Sequence, residues 1–304
     1  MNNDIIYVTG DSFTAGEDLS DYLIKPDFKG YSLKEFEYYN NNSNLKEKLF
    51  LNWNKIRFNY DNYNLNEVHR NNEKKRWSNC LSNLLKIPIY NNSEGGIAVD
   101  NILYRTVLDI HYLKACGMNI KEVIFQITEP SRFTYFDINI DSGYHAGTPS
   151  EWIKKLDPEI KWHKCDSNIN ASKSNLSKYN LFKQNILLQD YSSLIYKTFM
   201  LFKIYENTVR DLIKKSPIFV DSHFWKTKTM YNNLKNTIQV ARENNKNWRK
   251  DFILNNYALE FYDKLKLNMV DCILNDEEKV FTANFHVNEV IHERFAERIA
   301  NTYF

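Results

Sequence analysis

Ile5-Ile6-Tyr7-Val8-Thr9-Gly10-Asp11-Ser12-Phe13-Thr14-Ala15-Gly16 reads as a strand feeding a sharp turn, with a serine on the turn. The apolar run has no polar alternation, which suits a strand covered on both faces in a parallel sheet. A serine at the C-terminal tip of such a strand faces the crevice where open α/β sheets bind ligands. Its hydroxyl is then presented rather than packed, as a nucleophile must be. The alternative is a serine that only caps the segment behind it.

The pattern extends outward from that strand. Residues 4–9 are strand one. Trp77, Leu81, Leu84 and Leu85 form an apolar stripe that predicts a helix over 73–86. A strand over 87–91, a helix over 98–116 and a strand over 122–128 follow. This βαβαβ order predicts an α/β fold with parallel pairing. The loops behind the later strands, Asn91-Asn92-Ser93-Glu94-Gly95-Gly96 and Thr128-Glu129-Pro130-Ser131-Arg132, carry groups able to donate hydrogen bonds to an oxyanion.

Asn284-Phe285-His286-Val287-Asn288-Glu289 stands near the other end. Val290, Ile291, Phe295 and Ile299 recur at helical spacing, with Asn288 as N-cap and Glu289 in the first turn. His286 therefore lies in a loop just before a helix. A base and a nucleophile need only meet in space. His223, beside Asp221 at the end of Pro217-Ile218-Phe219-Val220-Asp221, is the rival base.

In these features the chain resembles the SGNH (GDSL-type) hydrolases. Gly10-Asp11-Ser12 resembles the family's first block, whose serine is the nucleophile. Gly96 matches the second-block glycine, whose N–H joins the oxyanion hole. Gln126-Ile127-Thr128-Glu129 stands where the third block carries Gly-x-Asn-Asp. His286 matches the general base of the last block, and His292 a common histidine one turn later. Thr128 replaces the oxyanion Asn, and Ala283 stands where the family has the Asp that orients the base. The resemblance covers roughly the first 135 residues and the last 30.

The resemblance implies a three-layer α/β/α fold of flavodoxin-like type, with a central, mainly parallel sheet and a helical insertion. It implies a Ser12–His286 esterase acting on an O-acyl ester, often an O-acetyl group on a carbohydrate. The oxyanion would be held by the N–H groups of Ser12 and Gly96, with the Thr128 hydroxyl as a weaker donor. Asp11, Gly95, Glu129 and Arg132 are placed to line a substrate pocket. A group outside residues 283–286, or a backbone carbonyl, must meet the distal nitrogen of His286; Asp221 and Asp271 are the named carboxylates. An inactive glycan-binding or structural module and an O-acyltransferase are the alternatives. No cofactor or metal is called for.

Composition bounds the rest. The chain has 304 residues, 43% hydrophobic, enough for one large domain with a real core. A single domain over 1–304 is expected, with elaborations at 17–75 and a mainly helical insertion at 141–270. A net charge of +2 gives no case for nucleic acid. No apolar run approaches the ~20 residues of a membrane helix, and no signal peptide stands before strand one. Cys80, Cys116, Cys165 and Cys272 lack metal-ligand spacing and read as reduced thiols. A cytoplasmic protein acting on a small-molecule or carbohydrate ester, with no nucleic-acid or membrane partner, is the expectation. Aromatic residues make up 15% of the chain, which suits sugar stacking, although most must be core. Only 8 of the residues are glycine, and Gly10, Gly16, Gly95 and Gly96 all fall in the two site loops, where backbone must turn tightly.

The segment 17–75 is polar and aromatic, and Asn40-Asn41-Asn42-Ser43-Asn44 reads as a loop by composition. Residues 141–180 read as loop. Helices are predicted over 181–215 and 229–270, flanking a short strand over 217–221.

Overall fold

The computed structural model describes residues 3–20, 27–58, 65–95, 97–127, 133–136, 143–146, 191–221, 257, 260–261, 265–283 and 285–304. A four-stranded, all-parallel sheet organises them. Its strands are β1 (Asp4–Thr9), β2 (Ile89–Asn91), β3 (Asn119–Ile127) and β6 (Ile218–Asp221), in the order β2-β1-β3-β6. β1 is central, and its last five residues are buried, as the unbroken apolar run requires. Ile6 pairs with Ile89 on one side, and Val8 with Ile124 on the other.

The period of two along β1 sends its side chains into two cores. Ile5 and Tyr7 join Phe125 in the layer that holds α6 (Val99–Ala115) and α7 (Tyr191–Ile213). Ile6 and Val8 join Ile124 and Val220 in the layer that holds α5 (Trp77–Leu85) and α8 (Glu289–Tyr303). The fold is therefore a three-layer α/β/α arrangement. β1 hands the chain toward β2 on one side, and β3 hands it toward β6 on the other. The C-terminal ends of β1 and β3 thus flank the switch point where such sheets place ligands.

Several expectations are corrected. The 17–75 excursion contains three helices, α2 (Leu33–Asn41), α3 (Ser43–Phe58) and α4 (Leu65–Lys75). Ser32 and Glu35 form a reciprocal capping box that starts α2. The asparagine tract is a helix-to-helix junction centred on Asn42, whose amide donates to the Tyr38 carbonyl at 2.8 Å. The single helix expected over 73–86 is two, α4 and α5, broken at Arg76, which is extended (φ −65, ψ 147). Nothing on the Arg76 side chain caps α5; the Trp77 N–H instead donates to Nδ1 of His292, at 3.0 Å, from the far end of the chain.

Residues 143–146 are a strand rather than loop. β5 (Gly143–Ala146) pairs antiparallel with β4 (Phe133–Phe136) in a separate two-stranded sheet. The helix expected over 229–270 does not reach its end, because Asn268 forms a bridge with Asp221. Most of that segment, with residues 147–190, lies outside the described residues. Among the described residues, no helix is long and apolar enough to cross a membrane.

Gly10 shows how closely the serine turn is set on the sheet. A methyl group there would fall 2.8 Å from Cβ of Gln126 and 2.9 Å from Cβ of Thr14. Gly10→Ala is expected to destabilise the protein by about 1–3 kcal/mol through overpacking. Urea unfolding should show a lower midpoint at an unchanged slope.

Candidate active site

The serine turn is built by local hydrogen bonds. Asp11 is the N-cap of a one-turn helix, α1 (Ser12–Ala15), and its carboxylate accepts from the Phe13 N–H at 3.1 Å. Gly16 ends that helix in the left-handed conformation (φ 72), and the Glu17 N–H donates to the Ser12 carbonyl at 3.0 Å. Asp18 is also left-handed (φ 64), a conformation that Asp and Asn adopt more readily than other non-glycine residues. These bends return the Asp18 carboxylate toward the serine end of its own turn.

The histidine turn is equally local. The Thr282 N–H donates to the His286 carbonyl at 2.7 Å. The His286 N–H donates to the Thr282 hydroxyl at 3.1 Å. Phe285 is left-handed (φ 65), an unfavourable conformation for an aromatic residue. Its ring is held by the 17–75 excursion: Tyr31 stacks on it at 5.1 Å, with Tyr39 at 5.9 Å and Phe36 at 6.0 Å. Backbone bonds between Tyr31 and Phe281 tie the two segments together (2.8 and 2.9 Å). Asn288 caps α8 immediately behind the turn.

The two turns meet at the imidazole. Nε2 of His286 lies 2.9 Å from Oγ of Ser12, although 274 positions separate them. Nδ1 lies 2.5 Å from Oδ2 of Asp18. The Phe13 ring stands edge-on to the imidazole, with centroids 4.9 Å apart. The Asp18 side chain is 2% exposed, whereas that of His286 is 19% exposed, so solvent and small molecules reach the histidine but not its partner. Burial opposes a positive charge on His286. The Asp18 hydrogen bond and charge, helped by Glu17 and Asp11, outweigh it and raise the imidazole pKa above its ordinary value. At the first position of α1, the Ser12 N–H has no carbonyl four residues back within the helix to bond.

The expectation that a group outside 283–286 meets the distal nitrogen is met by Asp18, a residue not singled out in the sequence. Asp221 and Asp271 do not take that role. Asp221 accepts from the Asn268 amide at 3.2 Å, and Asp271 sits in the 3-10 turn Val270–Cys272, its carbonyl accepting from Arg298 at 2.7 Å. Asp11 is fully buried and spent on capping, so it does not line a pocket. Gly96, Thr128, Glu129, Arg132 and His223 lie outside the described residues. Gly95 is half-buried, beside Glu17. His292 is 1% exposed, and burial, with the nearby His286, pushes its pKa down to about 3; it is a neutral acceptor for α5 rather than a proton carrier. Ala283 packs with Trp53 and Phe28 in a small apolar cluster. Where the resemblance would place an acid, this chain has hydrophobic contact.

Ser12, His286 and Asp18 form a hydrogen-bonded series with the geometry that a nucleophile, a base and an orienting acid require. Among the described residues, no group of three His, Cys, Asp or Glu side chains is placed to hold a metal. No protein-family model matches the chain, and no curated protein is detectably similar to it.

Kinetic and unfolding measurements test this geometry. A general base must be neutral, so kcat/KM should rise with pH through the raised His286 value and then level off. Asp18→Asn retains the left-handed turn but removes the charge. It should cost roughly 10³–10⁴-fold in kcat, as in the serine-protease triad, and move the pH midpoint downward. The sign for stability is opposite: the raised folded value means that the Asp18–imidazolium pair stabilises the protein at low pH and loses that contribution as pH rises through it. Ala283→Asp would bury a carboxylate against Trp53 and Phe28. Unfolding should show a loss on the order of 3 kcal/mol with no gain in kcat/KM; a large rise in activity would mean that Asp18 does not orient His286.

Proposed function

We propose that the protein is a serine esterase of SGNH type that hydrolyses an O-acyl ester. The observation that carries this reading is His286 bridging Ser12 and Asp18, at 2.9 and 2.5 Å, at the switch point of a parallel sheet. Nε2 of His286 takes the Ser12 proton as Oγ attacks the ester carbonyl carbon, giving a tetrahedral oxyanion. The Ser12 N–H supports that oxyanion; the resemblance adds Gly96 and Thr128. Collapse breaks the bond to the alcohol, which leaves with the proton held on Nε2. Water, deprotonated by His286, then attacks the acyl-serine, releasing the carboxylic acid and restoring Ser12. Asp18 holds the proton of His286 on Nδ1 throughout, leaving Nε2 free to accept.

The absence of an acid at Ala283 would suit an inactive module, but the Asp18 carboxylate at the imidazole supports an active site instead. The resemblance makes an O-acetylated carbohydrate the leading substrate. Cys80, Cys116 and Cys272 are free thiols, which suits a reducing compartment.

Ser12→Ala should lower kcat on 4-nitrophenyl acetate by roughly 10³-fold or more, with almost no change in Tm. A fluorophosphonate probe should label the native protein at Ser12 and leave the variant unmodified. Undiminished hydrolysis by the variant would overturn the reading.

A further inference from the structure

Gln126 follows Ile124 by two positions on β3, so its side chain enters the layer that holds α5 and α8. It is fully buried there. Its Oε1 accepts two hydrogen bonds, one from the Trp77 indole N–H at 3.1 Å and one from the Thr14 hydroxyl. An indole N–H only donates, so the amide oxygen, and not the nitrogen, must face Trp77. Nε2 is then buried with no hydrogen-bond partner among the described residues. A half-unpaired amide costs stability at a place that an apolar side chain of similar shape would fill. Core packing therefore does not account for Gln126.

The residues it joins do account for it. Thr14 lies on α1, the helix that Ser12 begins, and is fully buried. Trp77 begins α5, and its backbone N–H donates to Nδ1 of His292 at 3.0 Å. His292 lies on α8, the helix directly behind His286. A buried chain of hydrogen bonds thus runs Thr14–Gln126–Trp77–His292, from the helix of the serine to the helix of the histidine. It closes a ring whose remaining side is the Ser12–His286 contact, at 2.9 Å. Asn91 ties the same seam separately, donating to the Thr14 carbonyl at 3.1 Å and to the Ser78 hydroxyl on α5 at 2.7 Å.

We propose that Gln126 is a positioning residue: by joining Thr14 to Trp77, and through Trp77 to His292, it sets the distance between the serine turn and the imidazole of His286. A displacement of about 1 Å can cost about 10²-fold in rate, so slack in the chain is felt in turnover before it is felt in folding. Asp18, Glu17 and Asp11, the acids that raise the His286 pKa, all lie on or beside the serine turn, so slack withdraws them together. His292 is neutral and places no charge of its own beside the imidazole. The inference deepens the esterase reading and rests on it for its kinetic test, whereas the titration of His286 can be followed without any substrate.

Thr14→Val, Gln126→Met and His292→Leu cut the chain at successive points, whereas Thr14→Ser keeps the hydroxyl and His292→Asn keeps an acceptor in the place of Nδ1. Thr14→Val is nearly isosteric and leaves the Asn91 bond intact, which keeps the turn folded. For each, kcat and KM on 4-nitrophenyl acetate and the His286 midpoint by NMR are measured well below Tm, with Ser12→Ala as the background. Each cut should lower kcat roughly tenfold or more with KM within about twofold, and should move the His286 midpoint down toward its ordinary value. Thr14→Ser and His292→Asn should retain most of both. The double variant Thr14→Val with His292→Leu should be no worse than the poorer single, because a chain already cut is no slacker when cut again. Folded cut variants with native kcat and a native His286 midpoint, or losses in kcat that add, overturn the role of Gln126 while leaving the esterase reading intact. Absence of Ser12-dependent turnover in the native protein overturns the esterase reading; the His286 midpoint of Thr14→Val then decides the positioning role, a lowered value supporting it and an unchanged one overturning it.

Discussion

The imidazole of His286 is the joint on which the candidate site depends, because one short turn holds it from both sides. Ser12 and Asp18 flank the same glycine-closed helical turn and contact opposite ring nitrogens. The site therefore requires only two segments to meet rather than three. That meeting is made by packing on the sheet: α8, which follows His286, lies against α5 in the layer beneath Ile6 and Val8, with Phe295 edge-on to Trp77 at 5.6 Å. The hydrogen bond from the Trp77 N–H to His292 couples the same two helices. Anything that separates α5 from α8 draws His286 away from Ser12.

The aromatic excursion has a physical task in this scheme. A left-handed non-glycine residue costs about 1–2 kcal/mol, and Phe285 bears that cost next to the base. Tyr31, Tyr39 and Phe36 each contact its ring, and aromatic pairs contribute about 0.5–1.5 kcal/mol apiece beyond their burial. Three such contacts are comparable to the strain or larger, so together they offset it. Lys46 adds a cation over the Phe36 and Phe285 rings, at 5.8 and 5.4 Å. Residues 27–58 thus act as a brace for the histidine turn.

His286 and His292 show how environment assigns roles to one residue type. Both lose solvation, which disfavours the charged form. Carboxylates face His286, so its pKa rises; His292 meets a backbone donor and the charge of its neighbour, so its pKa falls to about 3. The first, held between Ser12 and Asp18, is able to gain and lose a proton, whereas the second remains neutral and structural.

The α/β class, the parallel pairing, strand one and the Ser12–His286 partnership were legible in the chain, because apolar runs and helical stripes register burial directly. The loop serine and loop histidine stood at element boundaries that those patterns mark. Asp18 was not legible. It lies in a turn without periodicity, and its place comes from two left-handed residues, Gly16 and Asp18, on either side of Glu17, that aim its carboxylate. The break at Arg76 was hidden for a similar reason, since the partner that caps α5 is His292, more than two hundred residues along. The helices of the excursion were obscured because their composition is polar and rich in asparagine, which reads as loop. Local sequence thus determined the main strands and helices and the position of the serine turn. Only the tertiary structure decided which carboxylate meets the imidazole, because a hydrogen-bond partner is selected by distance in space and backbone direction, neither of which spacing along the chain records.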